Sequence, residues 1–499
     1  MLPFYQNVPL FSILLAFLAA VFSILLKSKA AWRLHMTVTG LICAMNLWML
    51  SHLLTENVSF SYPLGRFGAP WGNELRAGPF EALMAAVFCF IMLCSVLGGT
   101  RDLREEISGQ KRNLYFVMLD LLLASVLGLV FTNDLFTGYV FLELNTVAAC
   151  ALVMAKDTPQ TTVATLRYLV LSLLGSGLFL LSVALLYAIT GHLSMPYLQT
   201  ALAALAAVGS YRPAIMILAC LLVVSLAIKS ALYPFHTWMP EASGNATTTT
   251  SGILSGVILK SYIILLVKIL CRVFSLPLAR SMGLCDVLFV FGLLAMIMGS
   301  LNAMRESHLK RMAAYSTIAQ IGYIYIGIGI GAASGLIAAM LQLVVHSASK
   351  ALVLISAGGL IDESGHHKHL YDLKGAGHRN PIAGIGFTLG ALSMVGLPLL
   401  GGFISKLYLT DAAMLGGVRL SGAILALGVS SVLNALYYIP AIIRIWTNDS
   451  EENDLLASIQ PYCDPHRAAA ILTLCLCVVL LGIFYEPFTE IFRTGIELL

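Results

Sequence analysis

Five lysines lie deep inside long apolar stretches of this 499-residue sequence: Lys229, Lys260, Lys268, Lys350 and Lys406. An ammonium group at the centre of a lipid bilayer costs roughly 2.5–3.5 kcal/mol even on the mildest scale, so each of them needs a reason to be there. A buried lysine can release its proton, whereas arginine stays charged. Because all five deep residues are lysines and no arginine lies at this depth, the pattern predicts proton transfer rather than structural anchoring.

Further ionisable groups lie at comparable depth. Glu143 is a carboxylate in an apolar stretch, and a buried carboxylate and ammonium on neighbouring helices lower each other's cost. His346 and Lys350 are four residues apart and therefore share one face of a helix. His236, close to a helix break, is a weaker candidate. Together these groups predict a proton relay, with Lys268 expected to reach the membrane surface because it lies within a turn of a span end.

The composition identifies the environment. Of all residues, 59% are hydrophobic and 11% are charged, against about 45–50% and 25% in soluble domains. A soluble globular enzyme is excluded, because so few charged side chains do not cover a surface. The first apolar run is followed, not preceded, by basic residues, which favours a retained span over a cleaved signal peptide. The fold class is therefore an all-α polytopic membrane protein.

Apolar runs predict about fourteen membrane spans, numbered here in chain order. Arginine and lysine concentrate in the loops that follow odd-numbered spans, which predicts that those loops face the cytoplasm and that both termini lie outside. The predicted ranges are 8–27, 32–54, 78–99, 113–132, 134–155, 165–190, 212–235, 248–271, 279–303, 313–330, 334–360, 381–411, 419–444 and 467–486.

Two spans combine a helix break with a deep lysine. Span 7 carries Pro234 and Pro240 after Lys229, and span 12 carries Pro398 and two glycines before Lys406. Irregular backbone at membrane depth lines a polar cavity or is buried in protein. Paired interrupted spans are typical of inverted repeats in transporters.

An inverted repeat gives the predicted organisation. Residues 1–110 form a three-helix segment, and residues 111–275 (spans 4–8) form a first five-helix unit. Residues 276–445 (spans 9–13) form a second, inverted unit, and residues 446–499 form an acidic loop and a C-terminal helix. An odd number of spans per unit reverses its orientation in the membrane, and spans 7 and 12 are each fourth in their unit.

No cofactor and no metal site is predicted. The 10 cysteines lie mostly inside apolar runs and show no CxxC spacing, so they are interpreted as small core residues. Four histidines share the loop after span 11, but their spacing fits no common metal site. They are His366, His367, His369 and His378.

Several segments resemble the antiporter-like subunits of the complex I superfamily. This family includes the L, M and N types of respiratory complex I, the D-type component of multisubunit cation/proton antiporters, and membrane-bound hydrogenase subunits. The similarity extends over about residues 110–445. It is carried by residues 229–241, 259–260, 310–318, 346–352 and 396–406.

The resemblance implies roles for the deep residues. Glu143 corresponds to the acid that pairs with Lys229, and Lys260 to the relay residue of span 8. His346 and Lys350 correspond to connecting residues, and Lys406 to the terminal lysine of the second unit. The sequence departs from the family at 242–247, where a proline-bearing stretch is usual. Lysine at 406 and the lack of a long amphipathic helix favour the D, N or hydrogenase-associated types.

The resulting hypothesis is a proton-translocating subunit of a multisubunit complex in the cell inner (plasma) membrane. Protons enter from the cytoplasm through one unit, pass along Lys260, His346 and Lys350, and leave past Lys406, while Glu143 and Lys229 act as the switch. The predicted partners are homologous antiporter-like and small membrane subunits, protons and the lipid bilayer, with sodium left open and nucleic acid excluded. Two alternatives are a self-sufficient secondary cation/proton antiporter and a quinone- or haem-binding redox subunit using His346 and His236.

Overall fold

The computed structural model describes residues 4–68, 72–414, 420–447 and 464–499. In these ranges the chain is a bundle of long helices, which confirms the all-α membrane fold. A short antiparallel hairpin, Phe60–Pro63 with Glu74–Ala77, joins spans 2 and 3. Most of the predicted acidic loop lies outside the described residues.

Each predicted span has a helical counterpart. Twelve helices of the described ranges are long and apolar enough to cross a membrane. The helix of span 10 is more polar, and span 12 is divided into pieces of 15 and 14 residues. The helices of spans 1–14 are Val8–Leu25, Ser28–Glu56, Pro79–Gly98, Arg112–Phe131, Leu135–Met154, Pro159–Thr190, Arg212–Lys229, Thr248–Phe274, Leu284–Arg305, Leu309–Gly329, Ala333–Asp362, Pro381–Val395 with Gly401–Met414, Leu420–Trp446 and Pro465–Ile483.

Shorter helices lie between or after the spans. Thr100–Glu106 follows span 3, Met195–Val208 follows span 6, and Glu486–Glu497 follows span 14. The last of these was not predicted as a separate element. It is amphipathic, and its Phe492 is buried with its ring 6.5 Å from that of Phe80 in span 3.

Local sequence signals explain where several helices begin and end. Span 5 begins after Asp134, whose carboxylate accepts a hydrogen bond of 2.8 Å from the backbone N–H of Thr137. Asp134 is therefore a helix cap. Span 6 begins with a Thr158 cap and Pro159 and ends at Gly191, whose φ is 72°. A left-handed residue after a helix favours glycine, because glycine lacks a Cβ.

The two predicted breaks are present. Span 7 ends at Lys229, and the chain resumes as a helix only at Trp238–Asn245. Span 12 stops at Val395, passes Gly396 (φ 98°) and Leu399 (φ 71°), and resumes at Gly401. The break of span 12 therefore leaves the carbonyls of Met394 and Val395 free to accept hydrogen bonds from Lys406.

Span 8 is the central helix of the bundle. All residues of its most apolar stretch are buried. Two π-helical segments, Leu254–Ile258 and Leu270–Phe274, interrupt its α-helical geometry. Such segments occur frequently at functional sites.

Spans 9 and 10 pack with their backbones almost in contact. A methyl group added at Gly292 would lie 2.9 Å from the carbonyl oxygen of Gly322, and one added at Gly299 would lie 2.6 Å from the amide nitrogen of Ala319. Small residues at these positions allow this approach. Only three residues separate Arg305 from Leu309, so the two spans form a tight helical hairpin.

A buried arginine ties span 14 to two other parts of the bundle. Arg467 is 2% exposed. It donates hydrogen bonds to the Asp102 carboxylate, to Asp362 Oδ2 at 2.5 Å and to the Gly98 carbonyl at 3.0 Å. Two carboxylates next to the ends of spans 3 and 11 are thereby neutralised.

Candidate functional site

The first cluster of the site surrounds Lys229 at the end of span 7. The side chain is fully buried, and its Nζ donates a hydrogen bond of 2.6 Å to Thr146 Oγ1 in span 5. The ammonium lies 6.0 Å from the centre of the Tyr262 ring in span 8. Lys229 therefore contacts both span 5 and span 8.

Glu143 lies one helical turn before Thr146 on span 5. It interacts electrostatically with Lys229, although the hydrogen bond of the lysine is made to Thr146. Glu143 Oε1 is buried, and within the described ranges no group donates a hydrogen bond to it. The structure thus brings Glu143 and Lys229 into one cluster in which they interact electrostatically, while the hydrogen bond of Lys229 is made to Thr146.

The second cluster consists of Lys260, His346 and Lys350. All three side chains are fully buried, and Lys260 interacts electrostatically with both other residues. In the described part of the chain, neither Lys260 Nζ nor either ring nitrogen of His346 has a hydrogen-bond partner. Buried polar groups are normally satisfied, so these unpaired atoms mark positions where water or a transferred proton fits.

Unlike Lys260, Lys350 has hydrogen-bond partners for its amine. Its Nζ donates to the carbonyl of Ala313 at 2.8 Å and to the hydroxyl of Tyr438 at 2.9 Å. The Tyr438 hydroxyl donates in turn to Ser316 Oγ at 2.9 Å. Lys350 therefore joins span 11 to spans 10 and 13.

Lys406 belongs to the second piece of span 12, and its side chain reaches back into the break. Its Nζ donates to the carbonyls of Met394 (2.9 Å) and Val395 (2.7 Å) and to Ser431 Oγ (3.2 Å). The ammonium lies 5.1 Å from the centre of the Tyr323 ring. The carbonyls freed by the break thus stabilise the terminal lysine.

Three polar residues of span 13, here called the tyrosine bridge, lie between Lys350 and Lys406, and the contact between the two tyrosines is made by their rings. The rings of Tyr437 and Tyr438 are 4.7 Å apart, and the Tyr437 hydroxyl donates to Asn434 Oδ1 at 2.5 Å. Asn434 Nδ2 donates at 3.4 Å to the Met394 carbonyl that also accepts from Lys406. Reasoning from the sequence missed these three residues, because a tyrosine or asparagine in a span carries no charge to mark it.

His236 lies beside the break of span 7. It is 7% exposed, its ring lies 5.1 Å from that of Tyr233, and its Nδ1 is buried without a partner among the described residues. Its aromatic neighbour in span 10 is Tyr315, at 6.3 Å. Within the described ranges no hydrogen bond or ring contact joins it to His346, so the structure does not bring these two histidines together.

The expectation for Lys268 is wrong. Its side chain is fully buried and does not reach the surface. Its Nζ donates to the carbonyls of Val130 and Thr132, each at 2.6 Å, and lies 4.0 Å from the buried carboxylate of Glu81. The end of span 4 supplies acceptors that hydropathy does not indicate, and Lys268 is a structural contact.

A buried pair that joins spans 2 and 4 was also missed. His35 Nδ1 lies 2.6 Å from Asp120 Oδ1, and Ser23 Oγ donates to Asp120 Oδ2 at 3.0 Å. All three side chains are fully buried. The residues lie up to 97 positions apart in the chain, so only the tertiary structure reveals the group.

Replacing Asp120 with alanine is expected to destabilise the protein by about 2–4 kcal/mol, because two buried partners lose their acceptor. Thermal unfolding of the purified protein would measure this loss. Lys111→Ala, at an exposed ion pair with Asp157, serves as a control with little effect. A double-mutant cycle with His35→Ala should give a coupling energy of about 0.5–3 kcal/mol, and a coupling near zero would contradict the pairing.

Comparison with known proteins places this geometry among membrane subunits. The family profile described as "NADH:quinone oxidoreductase/Mrp antiporter, TM" matches residues 132–433. The N-type subunit of the NADH-quinone oxidoreductase of Desulforudis audaxviator is 31% identical over 448 residues, covering 88% of this chain and 87% of the relative. The D-type subunit of the Na(+)/H(+) antiporter of Bacillus subtilis is 25% identical over 443 residues, covering 88% and 86%.

Solved structures share the fold. A chain of the Mrp complex from Dietzia sp. superposes with a TM-score of 0.87 at 22% identity, covering 99% of this chain and 97% of that chain. A chain of the archaeal membrane-bound sulfane sulfur reductase superposes with a TM-score of 0.86 at 23% identity, with the same coverage.

Proposed function

This chain belongs to the NADH:quinone oxidoreductase/Mrp antiporter family, and from that premise we propose that it moves protons along its buried ionisable residues. It is an antiporter-like subunit of a multisubunit membrane complex. The proposal concerns the path of the protons and the residues that carry them. Glu143, Lys229, Lys260, His346, Lys350 and Lys406 are the proposed carriers, with His236 beside them.

One observation carries the proposal: three buried cationic or basic side chains, Lys260, His346 and Lys350, lie together without an acidic partner among the described residues. Three positive charges at this depth would repel each other and each would lose its hydration. The cluster is therefore stable only when part of it is deprotonated. A group that holds fewer protons than it has sites is able to accept one and pass one on.

The proposed path begins at the first unit, residues 111–275, and ends in the second, residues 276–445. A proton on Lys229 passes to Lys260 and then through His346 to Lys350. The remaining stretch to Lys406 is lined by Tyr438, Tyr437 and Asn434, and water along these side chains would carry the proton, because the two tyrosines contact each other through their rings. Each step moves one proton from an ammonium or imidazolium group to a neutral neighbour, so charge is conserved. These carriers are here called the row: Lys229, Lys260, His346, Lys350 and Lys406.

Glu143 supplies the switch in this scheme. When its carboxylate is close, the ammonium form of Lys229 is favoured; when the two separate, Lys229 gives its proton to the row. Thr146, one helical turn after Glu143, offers Lys229 a neutral acceptor in the separated state. This arrangement supports the pair as a two-state element.

We further infer the setting of the chain. Its partners would be homologous antiporter-like subunits and small membrane subunits, and the transported ions would be protons, with sodium as the second candidate. The loop charges favour a plasma-membrane location with both chain termini outside. Under this assignment, residues 1–110 and the C-terminal helix flank the two units.

Isolation of the complex tests whether the chain acts within a larger assembly. We expect a tagged chain to co-purify with further membrane subunits, and the complex in vesicles to show proton flux. The chain alone should show no proton flux under an imposed sodium gradient. Equal sodium-driven flux from the chain alone would instead establish a self-sufficient antiporter.

A further inference from the structure

A polar cavity of about 570 Å³ lies where the chain leaves spans 3, 5 and 11. This is the side of the basic loops, which is the predicted cytoplasmic side. Four carboxylates line it: Asp102, Glu105, Glu106 and Asp362. Lys310 and Thr248 also line it, and both belong to buried helix ends of spans 10 and 8.

The carboxylates of the cavity differ in their partners. Asp102 and Asp362 bind Arg467, and Glu105 binds Arg101. Glu106 Oε1 accepts a hydrogen bond of 2.6 Å from Lys156, but its Oε2 is buried and lacks a partner among the residues that the structure describes. Glu106 is thus the carboxylate with a free oxygen for a proton.

Lys310 stands between this cavity and the interior of the bundle. It is 3% exposed, and its Nζ donates to Thr248 Oγ1 at 3.1 Å and to the Ala246 carbonyl at 3.4 Å. The Thr248 side chain has little room to move, because a methyl group on Gly358 of span 11 would lie 2.6 Å from its hydroxyl oxygen. Lys310 is therefore held by a neutral hydroxyl and a carbonyl, not by a carboxylate.

Lys350 of span 11 contacts span 10 one helical turn beyond Lys310. Lys350 Nζ donates to the carbonyl of Ala313, three residues after Lys310. A lysine has a flexible four-carbon stem, so its amine is able to swing between the cavity and the turn below. The cavity, Lys310 and the point where Lys350 contacts span 10 thus follow one another along that span.

From this geometry we infer that Lys310 is a proton-transfer residue that delivers protons from the cavity to Lys350, at the boundary of the two units. The inference rests on the proposed function of the buried row. Glu106 takes a proton from the cavity, gives it to the neutral amine of Lys310, and the resulting ammonium gives one to the neutral amine of Lys350. Lys310 then reloads the middle of the row in each turnover that Lys229 drives, so both residues are required for transport.

Substitutions at Lys310 separate proton transfer from a structural role. We expect Lys310→Met, which keeps the length and removes the proton site, to lower proton transport by the assembled complex at least tenfold. Lys310→Arg keeps the charge and the donor but does not release a proton, so it should be equally defective. Lys310→His, which titrates near neutral pH, should recover part of the activity.

The measurement is the initial rate of fluorescence quenching of a pH-sensitive dye in vesicles that contain the complete complex. Lys111→Met removes a lysine on the same side of the protein but outside the cavity, and should leave the rate unchanged. Thr248→Val should slow it several-fold, because Lys310 loses its neutral acceptor. Detergent-extracted complex is quantified for each variant, so that rates are compared per assembled complex.

The outcomes distinguish two kinds of failure. Full activity of Lys310→Met, or restoration by Lys310→Arg, overturns the role of Lys310 while Lys229→Ala remains inactive. Full activity of Lys229→Ala overturns the proposed function itself. Loss in both Met and Arg variants with partial recovery in the His variant supports proton delivery by Lys310.

Discussion

Lys229→Ala is expected to abolish proton transport by the assembled complex, with a fall of roughly 100-fold or more, equivalent to about 2.7 kcal/mol or more of barrier. Lys229 joins Thr146 of span 5 to the Tyr262 ring of span 8. Without its amine, the first unit lacks the group that interacts electrostatically with Glu143 and passes a proton on to Lys260. Dye quenching in vesicles that contain the complex measures the loss.

Two further variants test the same switch. Lys229→Arg retains a positive charge but not a releasable proton, so it should be as inactive as Lys229→Ala. Glu143→Ala should also stop coupled transport, because Lys229 then lacks the negative charge that favours its ammonium form. Val147→Ala, at an exposed apolar position of the same helix, should transport normally. Full pumping by the Glu143 or Lys229 variant would refute the switch.

The second large effect is expected at Lys406. Lys406→Met should reduce transport by roughly 100-fold, equivalent to about 2.7 kcal/mol, because the second unit loses its last proton carrier. The carbonyls of Met394 and Val395 would also lose their donor, so the amount of assembled complex must be measured alongside the rate. Leu407→Ala, which alters an exposed neighbour, is the matched control.

The Lys406→Met variant should also separate proton uptake on one side of the membrane from proton release on the other. With protons still entering the row, a single turnover should show uptake on the cytoplasmic side without release on the other side. Stopped-flow measurements with a dye on each side of the membrane resolve the two events. Release at the normal rate in Lys406→Met would exclude Lys406 from the path.

The sequence predicted the spans and the breaks well, because both depend on local chemistry. Apolar runs mark the spans, and proline or glycine beside Lys229 and Lys406 marks the interruptions. Depth within a run also selected Lys260 and Lys350 correctly as buried residues. These features need no knowledge of which helices are neighbours.

The contacts of the same lysines depend on tertiary structure and were not predictable. Lys260 and Lys268 lie two turns apart on span 8 and are both fully buried, yet Lys268 binds two carbonyls and Lys260 has no described partner. That difference arises from the end of span 4, far away in sequence. The tyrosine bridge of span 13 remained hidden for the same reason.

The tight hairpin of spans 9 and 10 has a consequence for biogenesis. Gly292 and Gly299 bring the two backbones so close that a lipid acyl chain does not fit between the helices. Because the connecting turn has only three residues, the two helices are expected to enter the membrane together as a packed helical hairpin. The remaining spans of the second unit would then assemble around this early, finished pair.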